Sequence, residues 1–221
     1  MGNDPLYTTY VAMSVRIIKF ASGEYYHLYN RGNSKQEIFH DQNDYDYFID
    51  LLSCLNTESR ITVRDSRSLG KQSEDIVSLG AYCLMPNHFH ILIKQEKDGG
   101  ISKFMQKIST SYVMYYNKKY KHTGGLFEGK FKSKYAGEDT YLKYLFSYIH
   151  LNPLKLLDPE WKVKAKYPSS NMVDFLCGYK YSSFNEYYLD KFDTVNKKAF
   201  PDYFPTRGEF LTDISRWFKS T

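Results

Sequence analysis

Cysteine is scarce in this chain, with three in 221 residues: Cys54, Cys83 and Cys177. They stand far apart and form no CxxC pair. That excludes a disulfide scaffold and a paired-cysteine zinc site. They read as small core residues of a reduced, cytoplasmic protein. No stretch reaches the ~20 consecutive apolar residues that a spanning helix needs, so no membrane is expected as a partner. The opening residues, MGNDPLYTTYVAM, lack the basic-then-apolar layout of a secretory signal, and Met13 is a candidate alternative start. Tryptophan is limited to 2 residues, and no internal repeat is evident. A strong charge of either sign is also missing. The net charge of +5 permits a polyanionic partner without demanding one.

Tyrosine, in contrast, is abundant. There are 22, and aromatic residues make up 18% of the chain. A tyrosine combines a flat ring for stacking with a hydroxyl for bonding. Apolar residues reach 42%, which excludes a disordered chain and supplies a core. The length suits one domain with elaborations.

Residues 24–32, EYYHLYNRG, alternate as a strand does and stop at a glycine. In DQNDYDYFIDLLSCL, Phe48, Leu51, Leu52 and Leu55 fall at helical spacing, with Asp41, Asn43 and Asp44 as candidate caps. Residues 57–75 are polar with scattered cations and read as a long hairpin or loop. Residues 76–85 form a strand, Pro86-Asn87 supplies turn chemistry, and residues 88–95 form another. Gly99-Gly100 opens a helix with Ile101, Phe104, Met105, Ile108, Tyr112 and Tyr115 along one face. KHTGGLFEGKFKSKY is a glycine-broken extended segment. Asp139-Thr140 start a third helix, which Pro153 must end. This order predicts an α+β fold: an antiparallel sheet with helices on one face, ferredoxin-like or RNA-recognition-like. The expected division is an N-terminal extension over 1–20, a principal domain over 21–156, and an appended C-terminal segment over 157–221.

MPNHFHILI, residues 85–93, is the most telling stretch. Successive strand residues point to opposite faces. Phe89, Ile91 and Ile93 therefore face the helices, and His88 and His90 stand side by side on the other, open face. Two neutral imidazoles so placed can share one exchangeable divalent ion, or can be ordinary hydrogen-bonded histidines. In TYLKYLFSYIHLNPLK, Leu142, Leu145, Phe146 and Ile149 define a buried face. Tyr148 and Asn152 are four apart and neighbours on its flank, where they can look along the sheet towards the histidines. The amide oxygen of Asn152 is a plausible third ligand. His150 points away from that flank and reads as structural. Lys118, Lys119, Lys121, Lys130, Lys132 and Lys134 interleave with Tyr116, Tyr120, Phe127 and Phe131. Cations for a backbone and rings for bases are how single strands are held, although a solvated lysine face has the same composition. Arg31, at the end of the first strand, is a further phosphate candidate.

Taken together, YHLYNRGN at 26–33, AYCLMPNHFHILI at 81–93, FEGKFKSKY at 127–135 and YLKYLFSYIHLNPLK at 141–155 resemble the REP-associated tyrosine transposases of the HUH single-tyrosine superfamily. A weaker echo lies in YKYSSFNEYY at 179–188. The resemblance implies an antiparallel sheet beside a helix that bears one nucleophilic tyrosine. Tyr148 matches that nucleophile, His88 and His90 match the metal-binding pair, and Asn152 matches the polar residue that completes the metal site. It also implies a Mg or Mn cofactor and a single-stranded DNA substrate with hairpin or repeat elements. The implied chemistry is cleavage through a 5′-phosphotyrosine link, and the implied assembly is a monomer or homodimer. The N-terminal extension, the 57–75 stretch and the tail beyond 190 depart from the family pattern and leave substrate choice open.

Three rivals are weaker. An RNA-recognition-like binding module would carry aromatics where His88 and His90 stand. A zinc hydrolase would need a third histidine or carboxylate close in sequence. An inactive descendant would have less reason to retain His88, His90, Tyr148 and Asn152 together.

Overall fold

The alternation in EYYHLYNRG produces strand β1, Tyr25–Arg31. The helical spacing that follows produces α1, Gln42–Cys54. Asp41 is its N-cap and forms a reciprocal capping box with Asp44, which satisfies amide donors that the first turn leaves open. Strands β2, Val77–Met85, and β3, His88–Gln95, flank the Pro86-Asn87 turn. Helix α2 runs from Gly100 to Tyr120. Its N-cap, Gly99, has a φ of +70°, a left-handed conformation that glycine adopts without steric cost. Strand β4 is Lys132–Tyr135, α3 is Asp139–His150, and the short α4 is Leu154–Leu157. Three more helices follow: α5, Ser169–Gly178; α6, Phe184–Tyr188; and α7, Arg207–Lys219.

The computed structural model describes residues 19–59, 74–161 and 169–219. Most of the N-terminal extension, with Met13, and residues 60–73 of the polar stretch lie outside the described residues. Among the described residues, no helix is long and apolar enough to cross a membrane.

The four strands form one antiparallel sheet in the order β2-β3-β1-β4. Phe89 and His90 are adjacent on β3, so they mark its two faces. On the first face, the ring of Phe48 from α1 lies 5.2 Å from that of Phe89, and Tyr112 from α2 lies 5.0 Å from Phe48. On the second face, Tyr148 from α3 lies 5.5 Å from His90. Helices thus cover both faces, which corrects the expectation of helices on one face and an open surface opposite. The reason is visible in β2, where all nine residues of VSLGAYCLM are buried. A continuous apolar run needs cover on both sides, and α3 supplies the second.

The described part of 157–221 shares this core. Trp161, Leu176, Phe184, Tyr187, Phe200, Phe204 and Phe210 are all buried within it. Phe200 enters where β2 has Gly80. A Cβ there would stand 2.7 Å from the Phe200 ring, so only glycine admits it. Ser182 bridges to Cys83 at the outer edge of β2, and the Ser183 hydroxyl accepts from the Tyr82 amide.

Candidate active site

Register within the sheet brings the site together. In β1, Tyr25, His27, Tyr29 and Arg31 share one face by strand alternation. Tyr29 pairs with His90 and Arg31 with His88, so β1 adds its polar residues to the face that carries the two histidines. Above them α3 lays its flank. The Tyr148 ring meets His90 and His27 edge-on, with centroids 5.5 and 5.9 Å away. The buried stripe of Leu142, Leu145, Phe146 and Ile149, each no more than 2% exposed, holds the helix down and sets that flank.

The result is a cavity of about 330 Å³ lined by Tyr29, Asn30, Arg31, Asn87, His88, His90, Glu128, Lys132, Tyr148 and Lys155. His88, His90 and Tyr148 of one chain meet there. The imidazoles are more enclosed than the expected open face implied. His90 is 7% exposed, and the His88 and His90 ring centroids stand 5.1 Å apart. Each has Nδ1 engaged: His88 with Asn87 Oδ1 at 2.6 Å, and His90 with His27 Nε2 at 2.9 Å. One nitrogen, Nε2, remains on each ring. Burial, with Lys155 and Arg31 nearby, pulls the His88 pKa down to about 4. Burial, together with His27, His88 and Lys155, holds His90 well below the usual histidine value. Both are therefore neutral near pH 7, the form that binds metal.

Asn152 is placed differently. It is 1% exposed and does not line the cavity. Its Nδ2 donates to the Tyr148 carbonyl at 2.9 Å, satisfying a carbonyl near the helix end. Its Oδ1 accepts from the Lys155 ammonium at 2.8 Å. The imidazole pair thus fits a divalent ion, whereas the amide oxygen is engaged by a cation in this conformation. Among the described residues, no group of three or more His, Cys, Asp or Glu could hold a metal.

The Tyr148 hydroxyl has its pKa raised by burial and then by Tyr144, against a lowering contribution from Asn152. His150 is fully buried, with Nε2 2.8 Å from Ser183 Oγ, and burial pulls its pKa down to about 3.

The basic residues divide. Arg31 and Lys132 line the cavity, and both lie near Glu128, at 2.9 and 3.7 Å. Lys130 and Phe131 line a separate groove of about 640 Å³ against Ser102, Gln106 and Ser109 of α2. Lys118 and Lys121 are exposed at the end of α2. Lys134 lies 4.3 Å from the centre of the Tyr141 ring. Lys119 is tied to α1: its ammonium donates to both Asp41 and Asp44. That engagement sets it apart from Lys118 and Lys121, which are exposed with no carboxylate so close among the described residues.

Sequence reasoning passed over His27, Tyr29, Asn87 and Lys155. Alternation along β1 carried the signal for the first two, since it puts them on the face of Arg31. Nothing local marked Lys155, whose place depends on how the chain turns at Pro153.

The family model for IS200-like transposases matches residues 21–152. No curated protein matches the chain. Among solved structures, a REP-associated tyrosine transposase bound to a REP hairpin is similar in fold, with a TM-score of 0.52 and 12% identity. The match covers 87% of this chain and 99% of that one.

Proposed function

This chain belongs to the IS200-like transposase family, whose model spans more than half of it, and from that premise we propose a metal-dependent nuclease and strand transferase for single-stranded DNA, with Tyr148 as nucleophile. One observation carries the reading: His88, His90 and Tyr148 line the same cavity. The strand order β2-β3-β1-β4 supports the finer description of the sheet as ferredoxin-like.

The chemistry follows from the residues. The Tyr148 oxygen attacks phosphorus, a tyrosyl phosphoester bond forms, and the bond to the 3′ oxygen breaks in line. The products are a 5′-phosphotyrosine link and a free 3′ hydroxyl, which takes up a proton. Attack by another 3′ hydroxyl reverses the step and joins a new strand, so no energy cofactor is consumed. His88 and His90 would hold Mg or Mn, whose chemistry is to polarise the phosphoryl group. Asn152 would join them only after its amide oxygen exchanges the Lys155 ammonium for the ion. Arg31, Lys132 and Lys155 give the cavity a cationic wall suited to a phosphodiester.

The substrate we assign is single-stranded DNA flanked by a hairpin, supported by the hairpin-bound state of the similar structure and by the exposed cations Lys118, Lys121, Lys130 and Lys132, with Lys134 beside Tyr141 and Phe131 in the α2 groove. The closeness of Tyr148 to the histidines of its own sheet supports action by a single chain. The rival of a binding module that stacks bases on an open sheet is disfavoured, because α3 covers that face.

The test is incubation of labelled, hairpin-flanked single-stranded DNA with Mn²⁺, followed by denaturing electrophoresis. We expect an SDS-stable adduct that Tyr148→Phe abolishes. An adduct that survives in Tyr148→Phe places the nucleophile elsewhere, and cleavage that survives in a His88→Ala/His90→Ala variant removes the metal from the reaction.

A further inference from the structure

His27 is buried, 6% exposed, and its Nε2 lies 2.9 Å from His90 Nδ1. The two rings are near parallel, with centroids 5.0 Å apart and 27° between planes. Tyr29 flanks His27 at 5.3 Å and Tyr148 covers it edge-on. His27 does not line the cavity that His88 and His90 share. Its Nε2 is directed at His90 rather than into the cavity.

Two neutral imidazoles at this distance share one proton, and the arrangement has two forms. If His27 donates, His90 carries its own proton on Nε2 and cannot ligate through that nitrogen. If His90 donates from Nδ1, its Nε2 keeps a free lone pair. Nδ1 of His90 is occupied in both forms, so only the second leaves it able to bind a metal. His88 has the same arrangement in simpler form. Its Nδ1 faces the Asn87 amide oxygen at 2.6 Å, which can only accept, and that fixes the proton on Nδ1.

We propose that His27 is a positioning residue for the metal site: it accepts the Nδ1 proton of His90 and so holds Nε2 of His90 ready to ligate. The proposal rests on the reading of His88 and His90 as metal ligands. Outer partners of this kind fix tautomer and ring orientation, and losing one typically weakens metal binding about 10–100-fold. The pair is largely buried, at 6% and 7% exposure, with Tyr29 and Tyr148 packed against it.

The experiment compares wild type, His27→Gln and His27→Phe, with folding checked by circular dichroism. Gln places an acceptor oxygen near the position of Nε2, and Phe keeps the ring volume without an acceptor. Mn²⁺ affinity is read by electron paramagnetic resonance of the free ion, without DNA. The His90 tautomer is read in metal-free protein by long-range ¹⁵N–¹H correlation. We expect His90 in the Nδ1–H form in wild type, near-normal affinity in His27→Gln, and a loss of about 10–100-fold in His27→Phe. Nε2–H on His90 in metal-free wild type overturns the proposal whatever the variants do. So does His27→Phe with wild-type affinity, or a His27→Gln as weak as His27→Phe. A wild type with the Nδ1–H tautomer that takes up no Mn²⁺ sinks the metal reading instead and takes the positioning role with it.

Discussion

The carboxylate of Asp44 is fully buried and accepts from the hydroxyls of Tyr115 and Tyr120, the Lys119 ammonium, and the amides of His40 and Asp41. Burial alone would raise its pKa, but Lys119, the His40 amide and the two tyrosines together pull it below the usual aspartate value. Removing such an acceptor strands several donors. Asp44→Ala should cost about 3–5 kcal/mol, measured as a shift in urea midpoint. The same cluster separates two lysines that look alike in sequence. Lys119→Ala should lower stability and leave the salt dependence of DNA binding unchanged. Lys132→Ala should spare stability and reduce the slope of log K against log salt by about 1. Equal slopes in both variants would contradict this division. The helical spacing of Phe48 and the candidate cap at Asp41 were legible in sequence. The tie of Lys119 to Asp41 and Asp44 was not, because these carboxylates lie more than seventy residues away.

At the scale of elements, α3 is gripped by the sheet and by the C-terminal region. Its apolar stripe faces β2 and β3. The stripe and the flank beside it also meet the C-terminal region, where Ser147 Oγ donates to Asp213 at 2.6 Å and the Phe146 ring meets Tyr187, Phe200, Tyr203 and Phe204. The position of Tyr148 over the histidines therefore depends on residues far from the cavity. Phe200→Ala should cost about 3–5 kcal/mol through the cavity it leaves, and it should slow adduct formation more than it weakens DNA binding. Gly80→Ala, which drives a methyl into the Phe200 ring, should act the same way at about 1–3 kcal/mol. An adduct rate unchanged in both variants would show that α3 keeps its place without this clamp. The stripe on α3 was plain from its 3.6-residue period. What else lies against it was not, since YKYSSFNEYY and the residues beyond it carry mixed patterns that fit several packings.

For the whole molecule, acid is the expected weakness. Burial pulls His27 and His88 down to about 4 and His150 to about 3, and lowers His90 as well. A histidine that is neutral when folded and titrates near 6.5 when unfolded adds stability in full above pH 6.5. That stability is lost as pH falls towards the folded value, on the order of 3 kcal/mol each for His27 and His88. The urea midpoint should fall steeply between pH 6.5 and 4, and a flat profile over that range would argue that these rings are hydrated. The covalent pattern of the chain by itself determined the four strands, helices α1 to α3 and the shared face of His88 and His90, because side-chain direction along a strand or helix is set by local backbone geometry. Only the tertiary structure decided that α3 closes over that face, that Asn152 holds Lys155, and that His27 Nε2 is directed at His90. Each of these is a contact between segments distant in sequence or turned by a chain reversal, and such contacts depend on how all the apolar faces are buried together.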